Sequence, residues 1–117
     1  MRMWGVNPKY LCDRHLLGEH GEMHKHLPSF FKGYKVERRF TPIIQIQFIG
    51  YEERHDSLAE EMLRRGMRHN SPLPELPDFK RLYPEYYHLK VDIDFNVIDL
   101  KSRCSQCKEI IEWEVLN

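Results

Sequence analysis

Leu11 to Leu27, LCDRHLLGEHGEMHKHL, is the stretch from which the rest of the chain is read. Wound as an α-helix, it stacks His15, Glu19, Glu22 and His26 on one line at intervals of four, three and four residues. Cys12, Leu16, Met23 and Leu27 form an apolar stripe beside that line. The stripe supplies a face to bury, and the line collects two carboxylates and two imidazoles in one place. Glu19 and Glu22, one turn apart, oppose each other's ionisation, which raises a carboxyl pKa toward the range useful for proton transfer. His and Glu on a wet helix face also serve solubility alone, and the spacing by itself accommodates both readings.

Punctuation on either side sets the limits of this helix. Asn7-Pro8 reads as a turn that launches it, and Pro28 ends or bends it. Thr41-Pro42 marks the next boundary. Ile43 to Phe48 alternates apolar and polar residues with the period of a strand, but a lone strand has no evident partner, so an extended segment is expected there. Tyr51 to Arg65 is a second helix, with Leu58, Ala59 and Met62 at core spacing and Gly66 as its terminator, preceded by Arg64 and Arg65 where cations suit the helix dipole. Arg54 and His55 on it are placed to face the first helix or DNA, or form a satisfied surface pair, the reading favoured for both. His69 through Pro77 is a proline-rich connection. Asp94 or Asn96 can cap a final helix in which Val97, Leu100, Cys104, Cys107 and Ile111 recur at three and four residues. The expected fold is mainly α, a compact single domain over residues 1–117 with three principal helices and extended connecting loops. An α+β variant with a small strand pair near 43–49 is the alternative.

At 117 residues and 14.2 kDa, with 41% hydrophobic and 31% charged residues, the chain suits one modest core. It has no transmembrane run and no apolar leader, so a cytoplasmic location and no membrane partner are expected. Three cysteines suit a reducing compartment better than a disulfide framework. Cys104-x-x-Cys107 is half of a zinc site, completed by Cys12 and a histidine such as His20 or His24, or a redox pair, or two buried thiols. Both sulfurs fall on the apolar line, which favours inert packing with Cys12 against them, and hence no metal, no cofactor and no stoichiometric zinc. His20-Gly-Glu-Met-His24 sets two imidazoles one turn apart, as zinc hydrolases do, but its glutamate stands at the second intervening position and lies off the metal-facing side.

Basic and acidic side chains balance at eighteen each, whereas phosphate neutralisation supplies most non-specific DNA affinity. Locally the distribution is uneven. Phe31 to Phe40, FKGYKVERRF, carries Lys32, Lys35, Arg38 and Arg39 interleaved with Phe31, Tyr34 and Phe40. Such a stretch grips phosphates while a ring stacks on a displaced base, or it is a snorkelling surface loop. Phe79 to Lys90 is a second basic and aromatic cluster.

Read together and in order, MRMWG at the N-terminus, LCDRHLLGEHGEM, and RHDSLAEEMLRRG followed by HNSPL resemble the pyrimidine-dimer DNA glycosylase family, the phage-type ultraviolet endonucleases and their bacterial and archaeal relatives. The resemblance covers roughly the first two-thirds of the chain. It implies a mainly helical enzyme of DNA repair, a glycosylase with associated abasic-site lyase activity on damaged double-stranded DNA, with no cofactor and no obligate protein partner. Carried over residue by residue, it places the catalytic carboxylate on Glu22, the helix-borne histidine on His15 in an orienting or phosphate-side role, and the nucleophile on the α-amine of Met1. Arg2, Arg14 and Lys25 fall at phosphate-contacting positions. The bulky Arg2 should protect Met1 from trimming, and an α-amine, with a pKa of about 8, is neutral in roughly one molecule in six at pH 7, which makes it a ready nucleophile. This mechanism requires the Met1 nitrogen and the Glu22 carboxylate to lie within a hydrogen bond or one bridging water. Two departures stand out: Gly21 occupies the place of a DNA-binding arginine of phage members, and the tail EWEVLN is acidic. Gly21, together with the neutral net charge, keeps open a non-catalytic nucleic-acid-binding module of the same fold, ahead of a metal-binding hydrolase, and the acidic tail puts in doubt a DNA contact by the 79–90 cluster.

Overall fold

In the computed structural model, which describes residues 1–69 and 71–116, the His- and Glu-bearing stretch folds as α1 (Asp13–Lys25) followed by α2 (Leu27–Phe31). Cys12 is the N-cap of α1, and Leu16 and Met23 of the apolar stripe are wholly buried. Pro28 bends the path without ending it. It sits in the first turn of α2, where its missing N–H has no partner to lose. Helix α3 (Tyr51–Arg64) packs on α1 through Leu58, Ala59 and Met62, and the Tyr51 hydroxyl donates to the Met23 carbonyl at 2.6 Å. Gly66 terminates it at φ +82°, a left-handed conformation that lets its N–H reach Leu63 O and the Met67 N–H reach Met62 O, both at 2.9 Å.

The alternation in residues 43–48 is real: Ile46 and Phe48 turn into the core while Gln45 and Gln47 are half-buried. No strand forms among the described residues, so the α+β alternative does not hold. The segment instead lies along the N-terminus, with the Met3 N–H donating to Gln45 O at 2.6 Å and the Gln47 N–H to the Met3 sulfur at 3.4 Å. Phe48 is the centre of an aromatic core, stacked on Phe79 of α4 (Phe79–Leu82) and on Tyr83 with ring centroids 4.5 and 5.1 Å away. The second basic and aromatic cluster thus splits, its rings Phe79 and Tyr83 buried and its cations Lys80 and Arg81 exposed.

The expected single final helix is two, α5 (Ile93–Arg103) and α6 (Ser105–Leu116). Cys104 between them is extended, at φ −133° and ψ 109°. The N-cap of α5 is Asp92, which accepts from the Phe95 N–H at 3.0 Å, and not Asp94 or Asn96. The mainly helical expectation therefore holds with four longer helices and two short ones among the described residues. No helix of the described residues is long and apolar enough to cross a membrane.

Candidate active site

The N-terminal segment is fastened nitrogen by nitrogen. The Met1 α-amine lies 3.3 Å from Glu22 Oε2, and the same oxygen accepts the Arg2 N–H at 3.1 Å. The Met3 N–H is taken by Gln45 O and the Trp4 N–H by Glu19 Oε1 at 3.2 Å. The Trp4 carbonyl accepts from Asn96 Nδ2 at 2.7 Å, which brings α5 to the other side. Gly5 follows at φ +71°, where a Cβ would stand 2.6 Å from Val91 Cγ2. Two carboxylates one turn apart on α1 thus hold the amine and the chain that carries it.

Those carboxylates have separate partners. Glu19 is buried and bidentate with Arg54, Nε to Oε2 at 2.7 Å and Nη2 to Oε1 at 2.9 Å, and Arg54 also donates to Val6 O at 2.6 Å. Each carboxylate thus has its own cationic partner, Arg54 for Glu19 and the Met1 amine for Glu22. The structure corrects the surface reading of Arg54 and His55, since Arg54 is held inside the α1–α3 interface and His55 is only 1% exposed. Glu22 remains half-exposed beside the amine.

Met1, His26, Tyr34, Lys35 and Arg39 are among the residues lining a pocket of about 180 Å³. Burial, then the cationic α-amine, hold His26 below its ordinary value even though Glu22 pulls the other way. Lys32, Lys35 and Arg38 are exposed, Arg39 is half-buried, and the rings of Phe31 and Tyr34 face solvent. Phe40 does not: it is core, stacked on Tyr86 at 4.6 Å. Arg14 and Lys25 are exposed on α1. Arg2 is engaged within the protein, its guanidinium 2.8 Å from both Asn96 Oδ1 and Asp99 Oδ2 and 4.0 Å above the Trp4 ring. Gly21 is exposed, with open space where a side chain would project.

A family model described as pyrimidine dimer DNA glycosylase matches residues 1–75, the segment that runs from the α-amine through α3. The chain belongs to the pyrimidine dimer DNA glycosylase family. No curated protein and no solved structure matches it. In this glycosylase, therefore, the N-terminal segment, α1 and the basic loop all lie in the matched part, while α4, α5 and α6 lie beyond it.

Two further side-chain clusters flank the glycosylase's first helix. At its N-terminal end, His15 Nδ1 lies 3.2 Å from Cys12 Sγ and 3.6 Å from Cys107 Sγ, with Cys104 Sγ 3.9 Å from Cys12 Sγ, so the structure groups His15 with the thiols. Burial pushes the Cys107 thiol up to about 12. Toward its C-terminal end, His20 and His24 meet His55 of α3 and His69 of the following loop. Burial and then the neighbouring imidazoles lower His20 to about 4. The spacing of His20 and His24 is visible in the sequence, but their partners stand 35 and 49 residues away in the chain.

Proposed function

We propose that the chain is a glycosylase with associated abasic-site lyase activity on pyrimidine dimers, working through an imine formed by the Met1 amine. The observation that carries this reading is the 3.3 Å contact between the amine and Glu22, on the open side of α1 and beside a pocket edged by cations. The neutral amine attacks the sugar C1′ and the base departs with the electrons of the glycosidic bond. Loss of the amine proton and opening of the sugar ring then give a C1′ imine. Removal of a C2′ proton expels the 3′ phosphate by β-elimination. Glu22, touching the amine, stabilises the positive charge that develops at the sugar and then moves a proton. His15 orients α1 from its first turn, and Lys35 and Arg39 meet the backbone near the extruded nucleotide. A dimer stacks and pairs poorly, so extrusion there costs less than in intact duplex.

Borohydride trapping tests the nucleophile. Incubation with abasic-site duplex and reductant should yield a covalent complex whose adduct maps to residue 1, and an added residue ahead of Met1, or acetylation of its amine, should abolish it while binding persists, since displacement by about an ångström costs around a hundredfold. Trapping that survives such blockage would move the nucleophile to a lysine, Lys25 or Lys9 first. Glu22→Gln should keep folding and binding but lose turnover by orders of magnitude on ultraviolet-irradiated duplex. Binding to damaged duplex without any cleavage by the unaltered chain would leave the non-catalytic module.

A further inference from the structure

Four imidazoles and, separately, three thiols with a fifth imidazole converge on single points in this fold. Within each group the facing atoms all lie within 4.8 Å of one another. Hydrogen bonding does not account for the first group. His55 Nε2 stands 3.1, 3.0 and 3.4 Å from the Nε2 atoms of His20, His24 and His69, and the His20 to His69 distance is 2.9 Å. A ring nitrogen has one in-plane direction, carrying either one proton or one lone pair, so it can serve one such neighbour and not three. With every proton moved to Nδ1, four lone pairs point at a common centre; with every proton on Nε2, four N–H groups do. A cation at the centre satisfies all four lone pairs at once. The edges of a tetrahedron of nitrogens around zinc are about 3.4 Å, given Zn–N bonds of about 2.05 Å.

The outer edges of the rings are arranged accordingly. His55 Nδ1 is 3.0 Å from Asp56 Oδ1, and His24 hydrogen-bonds the Ser71 backbone. A proton on His55 Nδ1 satisfies the Asp56 carboxylate and leaves Nε2 as a lone-pair donor, the carboxylate–histidine arrangement that supports zinc sites.

The second group rests on different atoms. Cys12-x-x-His15 runs from the N-cap into the first turn of α1, and Cys104-x-x-Cys107 runs from the break between α5 and α6 into the first turn of α6. All three cysteines are free and buried, and the Cys12 to Cys104 separation of 3.9 Å is far beyond a disulfide bond of about 2.05 Å. A zinc tetrahedron has sulfur–sulfur edges of about 3.8 Å and sulfur–nitrogen edges of about 3.6 Å, against 3.9 Å for Cys12 to Cys104 and 3.2 and 3.6 Å for His15 to Cys12 and Cys107. Backbone N–H groups already point at the sulfurs, Cys12 N at Cys107 Sγ at 3.3 Å and Cys107 N at Cys104 Sγ at 3.4 Å, and such donors suit thiolates.

We propose that the chain carries two structural zinc ions, one held by Cys12, His15, Cys104 and Cys107 and the other by His20, His24, His55 and His69. Four protein ligands close each centre, leaving no open position for substrate, so both are structural. The thiol centre ties α1 to the α5–α6 hairpin, which lies outside the family match, and the imidazole centre ties α1 to α3 and the loop after it. Together they clamp both ends of the helix that carries Glu22. This replaces the reading of the cysteines as inert packing, and in the zinc-site reading of Cys104-x-x-Cys107 the imidazole beside the thiols is that of His15 and not of His20 or His24.

Elemental analysis and native mass spectrometry of the full chain, purified without chelator, should find two zinc ions per molecule. Cys107→Ser should lower the count to one, and so should His55→Ala. Cobalt replacement in the unaltered chain gives a readout that needs no variant to fold: tetrahedral d–d absorption with sulfur-to-cobalt charge transfer from the thiol centre. A single zinc lost in Cys107→Ser but kept in His55→Ala overturns the imidazole centre, and the converse overturns the thiol centre. A chain that is isolated without zinc, takes up neither metal after reduction and shows three freely titrating thiols in its native state overturns both.

Discussion

Single residues decide how the amine is presented. Glu19 is buried, holds the Trp4 N–H and anchors Arg54, so it positions the segment that ends in the Met1 amine, the nucleophile proposed above. Glu19→Gln keeps the shape but leaves Arg54 inside the α1–α3 interface without its counter-charge. Breaking a buried pair from one side costs about 3–5 kcal/mol, so chemical denaturation should show a loss of that order, with imine trapping reduced in the fraction that stays folded. Glu61 makes the acid limb of stability testable. Its hydrogen bond from Arg64, with Arg65 adding to it, holds the carboxyl below its ordinary 4.5 against the opposing effect of burial. The folded protein then binds fewer protons than the unfolded chain in acid, so this contribution is complete above pH 4.5 and fades as pH falls through the depressed value. Urea unfolding across pH 3 to 7 should give a shallower acid slope for Glu61→Gln than for the parent, and equal slopes would remove Glu61 from the acid response.

At the scale of elements, the legible parts are those whose signal is local. The stripe of Leu16 and Met23 on α1, and the spacing of Leu58 and Met62 on α3 with its stop at Gly66, are each signals confined to a single helix, and each is realised. The break at Cys104 is not legible, because the apolar interval runs through it unchanged from Leu100 to Cys107, and the residue the Cys104 sulfur meets, Cys12, stands 92 residues away. The site divides in the same way. Glu22 and Met1 are found through a resemblance carried by contiguous motifs, whereas the grip of Asn96 and Asp99 on Arg2 and the arrival of His55 and His69 depend on tertiary packing. Gly5 belongs to this scale, since it lets the N-terminal segment pass close to Val91. Gly5→Ala adds a left-handed strain of about 1–3 kcal/mol and a Cβ where Val91 already stands. Trapping at Met1 should fall far more than Tm. A trapping yield equal to the parent's would show that the amine's position does not depend on this turn.

The whole molecule is electrically neutral on formal counting, so affinity for DNA has to come from where the charges sit. Lys32, Lys35 and Arg38 stand exposed on the loop whose Lys35 and Arg39 edge the pocket beside Met1, and Arg14 and Lys25 stand exposed on α1, while Arg54, Arg65 and Arg2 are engaged in internal ion pairs. A formally neutral chain meets a polyanion through the phosphates that its local cations neutralise, each contact releasing counterions, so log K should fall with log salt by about 0.9 for every phosphate neutralised. Cleavage of irradiated duplex should therefore be detectable at low salt and drop steeply as salt rises. Removing two of the loop cations with Lys32→Ala and Lys35→Ala should weaken binding to damaged and undamaged duplex alike and flatten the salt slope by about 2. An unchanged slope would exclude the loop from the DNA interface and leave Arg14 and Lys25 on α1 as the cations to test. A loss confined to damaged duplex would mean that the loop reads the distorted nucleotide, with Phe31 or Tyr34 stacking where the base has left.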